Sequence, residues 1–198
     1  MTKRTQIAAI LLPLLGALLA MPHVTILAGP VSGQLHFRAE TGHYYVWIEE
    51  RMKWEAANEF AHKYSKKVDG KVCDQWHLAT ITDAAENAFV FDVVLNPGKR
   101  NTEGGESFLG AIVTDGSLRN FKWVTGEPFN YSNFAPGQPD FARENVIEMG
   151  GMWGRQWNNE DGPGSPIEEK RPFILEHEPD CLHTSVTITT FPDVSVPK

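Results

Sequence analysis

With 198 residues, 41% of them hydrophobic and 11% aromatic, the chain has enough apolar mass for one ordinary core and one domain. A formal charge of -7 and an isoelectric point near 5.5 leave it without the basic footprint that nucleic-acid or anionic-membrane binding requires. It carries no nucleophile elbow, zincin helix or P-loop, so binding rather than catalysis is expected.

The chain opens with Lys3 and Arg4 and then an uncharged run from Ile7 to Ala20 broken by Pro13 and Gly16. Residues 1–28 read as an export signal, with Ala20 and Ala28 both fitting a cleavage site, and an uncleaved anchor is the alternative. Secretion is the expected outcome. Cys73 and Cys181 are what an exported domain with one disulfide would contain; two free thiols are the other reading. No CxxC pair or Cys/His cluster points to zinc.

His36 to Glu50 alternates aromatic and polar residues as paired strands do. Met52 to about Lys66 places Trp54, Ala57, Phe60, Ala61 and Tyr64 at three- and four-residue spacing, which predicts a first helix. A polar linker bearing Cys73 leads to a short strand at His77–Ile81. Thr82 or Asp83 caps a second helix running to about Leu95, where Asn96-Pro97-Gly98 stops it. Residues 99–107 read as a loop, Phe108–Ala111 and Phe121–Val124 as short strands, and Thr125 to Asp140 as a long irregular loop. Asn145–Met149 and Gly154–Asn158 flank a glycine-rich turn, Glu168 to Arg171 reads as a solvated turn, and Pro172–Glu178 closes the domain. Residues 179–198 form a peripheral tail in which 185–191 alternate like a strand.

Chemistry concentrates after the long loop. Gly137-Gln138-Pro139-Asp140 is followed by Glu144-Asn145 and Trp157-Asn158-Asn159, gathering five oxygen donors: Gln138, Asp140, Glu144, Asn158 and Asn159. Carboxylates and side-chain amides are what a hard divalent cation such as Ca2+ selects, since it takes six to eight oxygens in a flexible shell. Pro139 makes a cis peptide accessible, so Gln138 and Asp140 can point the same way. A bound metal would also organise a loop that lacks ladder hydrogen bonds.

Over residues 36–178 the chain resembles a C-type lectin-like domain. The resemblance rests on an ordered series: Trp54-Glu55-Ala56-Ala57, His77-Leu78-Ala79-Thr80-Ile81, Phe108-Leu109-Gly110-Ala111, Trp123-Val124-Thr125-Gly126-Glu127-Pro128, Gly137-Gln138-Pro139-Asp140, Trp157-Asn158-Asn159 and Phe173-Ile174-Leu175-Glu176. It implies an α+β fold with two helices, small antiparallel sheets and a long calcium-binding loop region. It also implies that the five oxygen donors hold Ca2+ and that a sugar binds the metal through adjacent hydroxyls. Gln138, Asp140, Glu144 and Asn158 would then hydrogen-bond that sugar. The Gln-Pro-Asp order implies galactose-type rather than mannose-type sugars, because exchanging acid and amide changes the donor and acceptor asymmetry around the metal. The implied partners are glycans with terminal galactose-type sugars, bound through several copies where avidity is needed.

This sequence departs from the family pattern at three places. Asn159 stands where the family usually has Asp, which lowers the formal ligand charge from -3 to -2 and leaves Glu160 or Asp161 to compensate. Calcium affinity in the extracellular range of about 0.1 to 1 mM is expected. Only Phe141-Ala142-Arg143 separates Asp140 from Glu144; Phe141 is the first choice for a ring that stacks on the sugar and Trp153 the second. Ala61 and Leu175 occupy the positions of the family's long-range disulfide, which Cys73 and Cys181 would replace. A domain that binds protein, or uses calcium only to order its loop, is the rival expectation.

Overall fold

The computed structural model describes residues 33–178 except 69, 96, 97, 99, 100 and 103. The export segment 1–28, Cys181 and the tail 179–198 lie outside the described residues.

Alternating aromatics make the first hairpin, as their pattern predicts: β1 (Leu35–Arg38) pairs antiparallel with β2 (His43–Met52), and Gly42 closes the turn by donating to Arg38 O at 2.8 Å. β2 runs two residues further than the alternation indicates, because its last residue, Met52, still pairs with the closing strand. Helix α1 therefore begins at Trp54 and ends at Lys63, burying the stripe Trp54, Ala57 and Ala61. The Trp54 indole donates to Leu109 O at 2.8 Å, which pins the helix to the sheet.

The polar linker contains a hairpin of its own, β3 (Lys66–Val68) with β4 (Lys71–Cys73), turning at Gly70 with φ +81°. Two-residue β5 (His77–Leu78) follows, then α2 (Ala84–Phe89), whose cap is Asp83: its carboxylate accepts from Glu86 N at 2.7 Å. A π-helical turn at Val90–Val94 continues α2. The remaining strands are β6 (Glu106–Ile112), β7 (Lys122–Trp123), β8 (Val146–Gly150), β9 (Trp157–Glu160) and β10 (Arg171–His177).

Eight of the strands join into one sheet with the order β1-β2-β10-β6-β8-β9; β5 lies along β10 and β7 along β6. The β10–β6 pair is parallel, with Phe173 opposite Phe108, whereas the other pairs are antiparallel. The result is an α+β fold with two α-helices, a mixed sheet and a small antiparallel one. Among the described residues no helix is long and apolar enough to cross a membrane.

One apolar cluster packs α1 on the sheet and contains Trp54, Ala61, Trp76, Phe108, Phe173 and Leu175. Ala61 and Leu175 are both fully buried there, so apolar packing occupies the place where the family pattern has a covalent tie. Gly110 marks the closest backbone approach: a Cβ on it would lie 2.4 Å from Leu78 O. The second cluster, around Trp123, Ile147 and Trp157, lies under the long loop.

A buried polar network ties β2, α2 and β10 together. The Tyr45 hydroxyl lies 2.5 Å from Glu86 Oε1 and 3.0 Å from Glu176 Oε1. Thr80 N donates to Glu176 Oε2 at 2.8 Å and Thr82 N to Glu86 Oε2 at 2.7 Å, while Arg38 pairs with Glu86 at 3.4 Å. These donors and one guanidinium satisfy two carboxylates that would otherwise be costly to bury. His43 Nδ1 closes the network at 2.7 Å from Glu176 Oε1, and this hydrogen bond raises the His43 pKa above its usual value despite partial burial. The sign follows from linkage: the stabilisation is complete below about pH 6.5, the ordinary value, and is lost as pH rises through the higher folded-state value. His43→Gln is therefore expected to cost stability at pH 6 and progressively less towards pH 9, as measured by urea denaturation across that range.

Candidate metal centre and the loop that carries it

The long loop is irregular apart from one isolated bridge, Phe134 opposite Trp157, and side-chain packing holds the rest. Trp157, fully buried at the start of β9, contacts Phe129, Tyr131 and Phe134 at ring-centroid distances of 6.2, 5.6 and 5.7 Å. Its backbone N donates to Asn133 O at 2.8 Å and its O accepts from Ala135 N at 2.9 Å. Its indole donates to Asn87 Oδ1 at 2.7 Å, which connects the loop to α2. One residue thus clasps the loop by ring, ring nitrogen and backbone. The following residues, Asn158 and Asn159, are positioned by the same strand.

Downstream of this clasp the Gln138–Pro139 peptide is cis. Asn159, with no exposed surface, holds the segment after it with three hydrogen bonds. Its Oδ1 accepts from Asp140 N at 3.1 Å, and its Nδ2 donates to Phe141 O at 2.9 Å and to Glu144 O at 3.0 Å. An amide oxygen has two lone pairs, so the Asp140 contact leaves one for a cation. The residue that replaces a carboxylate in the family pattern is the staple of the ligand-bearing turn.

Carboxylates converge beside that turn. Oxygen atoms of Glu144, Glu160 and Asp161 lie within 4.8 Å of one another. Burial, followed by the charges of Asp140, Glu160 and Asp161, pushes the Glu144 carboxyl up to about 7, against the pull of Arg143. Glu160 and Asp161, the two acids that could compensate for Asn159, therefore lie within reach of Glu144.

The remaining donors are distributed unevenly. Asn158 is 8% exposed; its Nδ2 donates to Glu148 Oε1 at 3.1 Å and its buried Oδ1 has no hydrogen-bond partner. Gln138 Oε1 is likewise buried without one. No described hydrogen bond joins the Gln138 side chain to the other four donors, and Gln138 lines a cleft of about 440 Å³ with Arg119, Phe129 and Asn133. The carboxylates of Glu144, Glu160 and Asp161 come together, while the two orphaned amide oxygens are of the hard-oxygen kind that calcium prefers.

Beneath the site lies an ion network that sequence reading missed. Arg171, 17% exposed, lies 2.9 Å from Glu148, 2.7 Å from Glu160 and 3.0 Å from Glu169. Its pKa is raised even though burial opposes this, because of the surrounding carboxylates, chiefly Glu148. Burial pushes Glu148 up to about 7 while Arg171 draws it back. The stretch Glu168 to Arg171 is thus not simply a solvated turn. Arg171 enters β10 and faces Glu148 of β8, and Glu168 pairs with Lys53 at 2.8 Å. The β8–β9 hairpin places Glu148 opposite Asn158, but the approach of Arg171 to Glu148 comes from a strand that is not adjacent and leaves no local signal.

The aromatic candidates separate clearly. Phe141 is 50% exposed on the ligand-bearing turn, with the Arg143 guanidinium carbon 5.0 Å from its ring centroid. Trp153 lies in the 3-10 turn Gly151–Trp153 at the closed end of the β8–β9 hairpin, whereas Glu144 and Asp161 lie at its open end. Trp153 is thus not placed to stack on a sugar held there.

Comparison with solved structures decides the fold. The C-type lectin CEL-I from Cucumaria echinata matches with 20% identity and a TM-score of 0.55 over 71% of this chain and 93% of its own. CEL-IV matches with 17% identity and a TM-score of 0.58, covering 80% of this chain and 97% of its own. The fold is C-type lectin-like. A calcium-independent type II antifreeze protein also matches, at 14% identity and a TM-score of 0.54, over 79% of this chain and 98% of its own. No protein-family model matches the sequence, and no curated protein does.

The Arg171 network yields a direct test. Arg171→Met leaves Glu148 buried without its cation and is expected to cost about 3 to 5 kcal/mol near pH 8 by urea denaturation. Near pH 5 the loss should shrink, because Glu148 can take up a proton there.

Proposed function

We propose that this chain is a secreted, calcium-dependent carbohydrate-binding domain that recognises galactose-type sugars. The observation that carries the reading is the carboxylate cluster of Glu144, Glu160 and Asp161 with Asp140 near enough to act on Glu144, on the same chain segments that carry the unpaired buried oxygens of Gln138 and Asn158. Gln138, Asp140, Glu144, Asn158 and Asn159 would hold Ca2+, with Glu160 and Asp161 available to the same ion. Bound calcium would supply a Lewis-acidic centre for two sugar hydroxyls. Asp140 and Glu144 would accept hydrogen bonds from those hydroxyls, while the amides of Gln138 and Asn158 can donate. Phe141, half exposed beside Asp140, would offer a face to the apolar side of the sugar.

In the same reading, residues 1–28 direct export and Cys73 pairs with Cys181. Cys73 is buried, and neighbouring Trp76 packs its ring 5.1 Å from His177 at the end of β10, from which the chain continues towards Cys181. A mobility difference between reduced and non-reduced protein tests the bridge.

Calcium at about 10 mM is expected to stabilise the domain by on the order of 1.4 to 2.7 kcal/mol if its affinity lies in the range of about 0.1 to 1 mM. Thermal unfolding with calcium and with chelator measures this, and Asp140→Ala should abolish the increase. Galactose should then release the calcium form from a glycan surface better than mannose does; the reverse order would remove the sugar assignment but leave the lectin reading.

Calcium must displace the proton that Glu144 holds up to about 7. Binding is therefore expected to be about tenfold weaker at pH 6 than at pH 8 by calorimetric titration.

A second reading has its own observation. Asn159 and Arg171 hold the turn and the adjacent strands through protein contacts alone, so a lectin-like domain that binds protein without calcium fits that part of the geometry. Binding that ignores both chelator and free galactose would identify it.

A further inference from the structure

The carboxylate cluster holds positive charges of its own, and the two arginines that supply them are held very differently. Arg171 is 17% exposed and engages three carboxylates, of which only Glu160 belongs to the cluster. Arg143 is 58% exposed and reaches the other two members: its Nε lies 3.3 Å from Asp161 Oδ1 and its Nη2 lies 3.6 Å from Glu144 Oε1. Arg171 is therefore part of the framework, whereas Arg143 rests on the cluster from the solvent side.

The Arg143 contacts are loose. The Nη2 contact exceeds hydrogen-bond length, and the guanidinium carbon lies 5.0 Å from the ring centroid of exposed Phe141, a weak face contact at an exposed site. Arg143 also lines a cleft of about 400 Å³ with Thr114, Asn145 and Ser165, so space for the side chain to move into is already present. Arg143 is the solvent-facing partner, 58% exposed against 12% for Glu144 and 8% for Asp161, so the guanidinium can leave without opening the core.

From this geometry we infer that Arg143 is a displaceable internal counter-cation: it neutralises Glu144 and Asp161 when calcium is absent and must leave when calcium enters. The inference rests on the calcium reading above and concerns how that site is regulated. A divalent ion and a guanidinium cannot both lie against the same two carboxylates without strong like-charge repulsion, and the ion brings twice the charge. Calcium affinity would then be lowered by the competition, while the metal-free turn keeps its shape. Displacement would also release the guanidinium beside Phe141, so that the metal-loaded site presents a positive group at its rim.

The test is calorimetric titration of the metal-free chain with calcium chloride, for wild type, Arg143→Gln and Arg143→Lys, together with metal-free thermal unfolding of each. Arg143→Gln is expected to bind calcium about tenfold more tightly and, without metal, to unfold about 1 to 4 °C lower. Arg143→Lys keeps the charge and should stay near wild type in both measurements. Calcium binding by Arg143→Gln alone, with wild type silent, would support the inference in its strongest form. Equal or weaker affinity in Arg143→Gln than in a calcium-binding wild type would overturn the inference and leave the calcium reading intact. Silence of all three proteins at millimolar calcium would overturn the calcium reading, and this inference with it.

Discussion

The order of the long loop depends on Trp157. Its ring fills the space under the loop against Phe129, Tyr131 and Phe134, its backbone holds Asn133 and Ala135, and its indole reaches Asn87 on α2. An irregular loop cannot rely on ladder hydrogen bonds, so it needs a buried anchor with polar ends, and an indole supplies both. Because the anchor is also a residue of β9, fixing the loop fixes Asn158 and Asn159 at the same time. Loop order and ligand geometry are thus one structural event.

Charge is the second constraint. The open end of the β8–β9 hairpin gathers Glu144, Glu160 and Asp161, with Glu148 buried behind them, and no fold tolerates that density of acid without cations. Arg171 meets the requirement from inside and Arg143 from outside. The two roles differ in kind, since Arg171 ties three carboxylates across the sheet from a largely buried position and Arg143 reaches the cluster from solvent.

Much of the architecture was legible because it rests on local pattern. The stripe Trp54, Ala57 and Ala61 announced α1, the pair Thr82 and Asp83 announced the start of α2, whose cap is Asp83, and the alternation from His43 to Ile48 announced β2. The small hairpin β3–β4 was not legible, since Lys66, Lys67 and Lys71 carry no apolar alternation and the pair forms around Gly70. β9 begins at Trp157 rather than Gly154 because Gly154 to Gln156 complete the turn, with Gln156 N donating to Trp153 O. At the candidate site, the Gln138-to-Asn159 series was legible as a run of oxygen donors, but the role of Asn159 as a staple and the Glu148–Arg171 pair depend on which segments become neighbours. Such information lies between distant segments and not within any one of them.

The clasp at Trp157 also has a consequence for how this surface can change. Its hold on the loop passes through the rings of Phe129, Tyr131 and Phe134 and the backbone of Asn133 and Ala135, whereas the side chains of Ser132, Pro136, Phe141 and Ala142 are exposed. Selection, natural or in the laboratory, can therefore diversify the outward positions without reopening the core. The loop thus pairs a buried frame with an exposed face, as a scaffold for a binding library must.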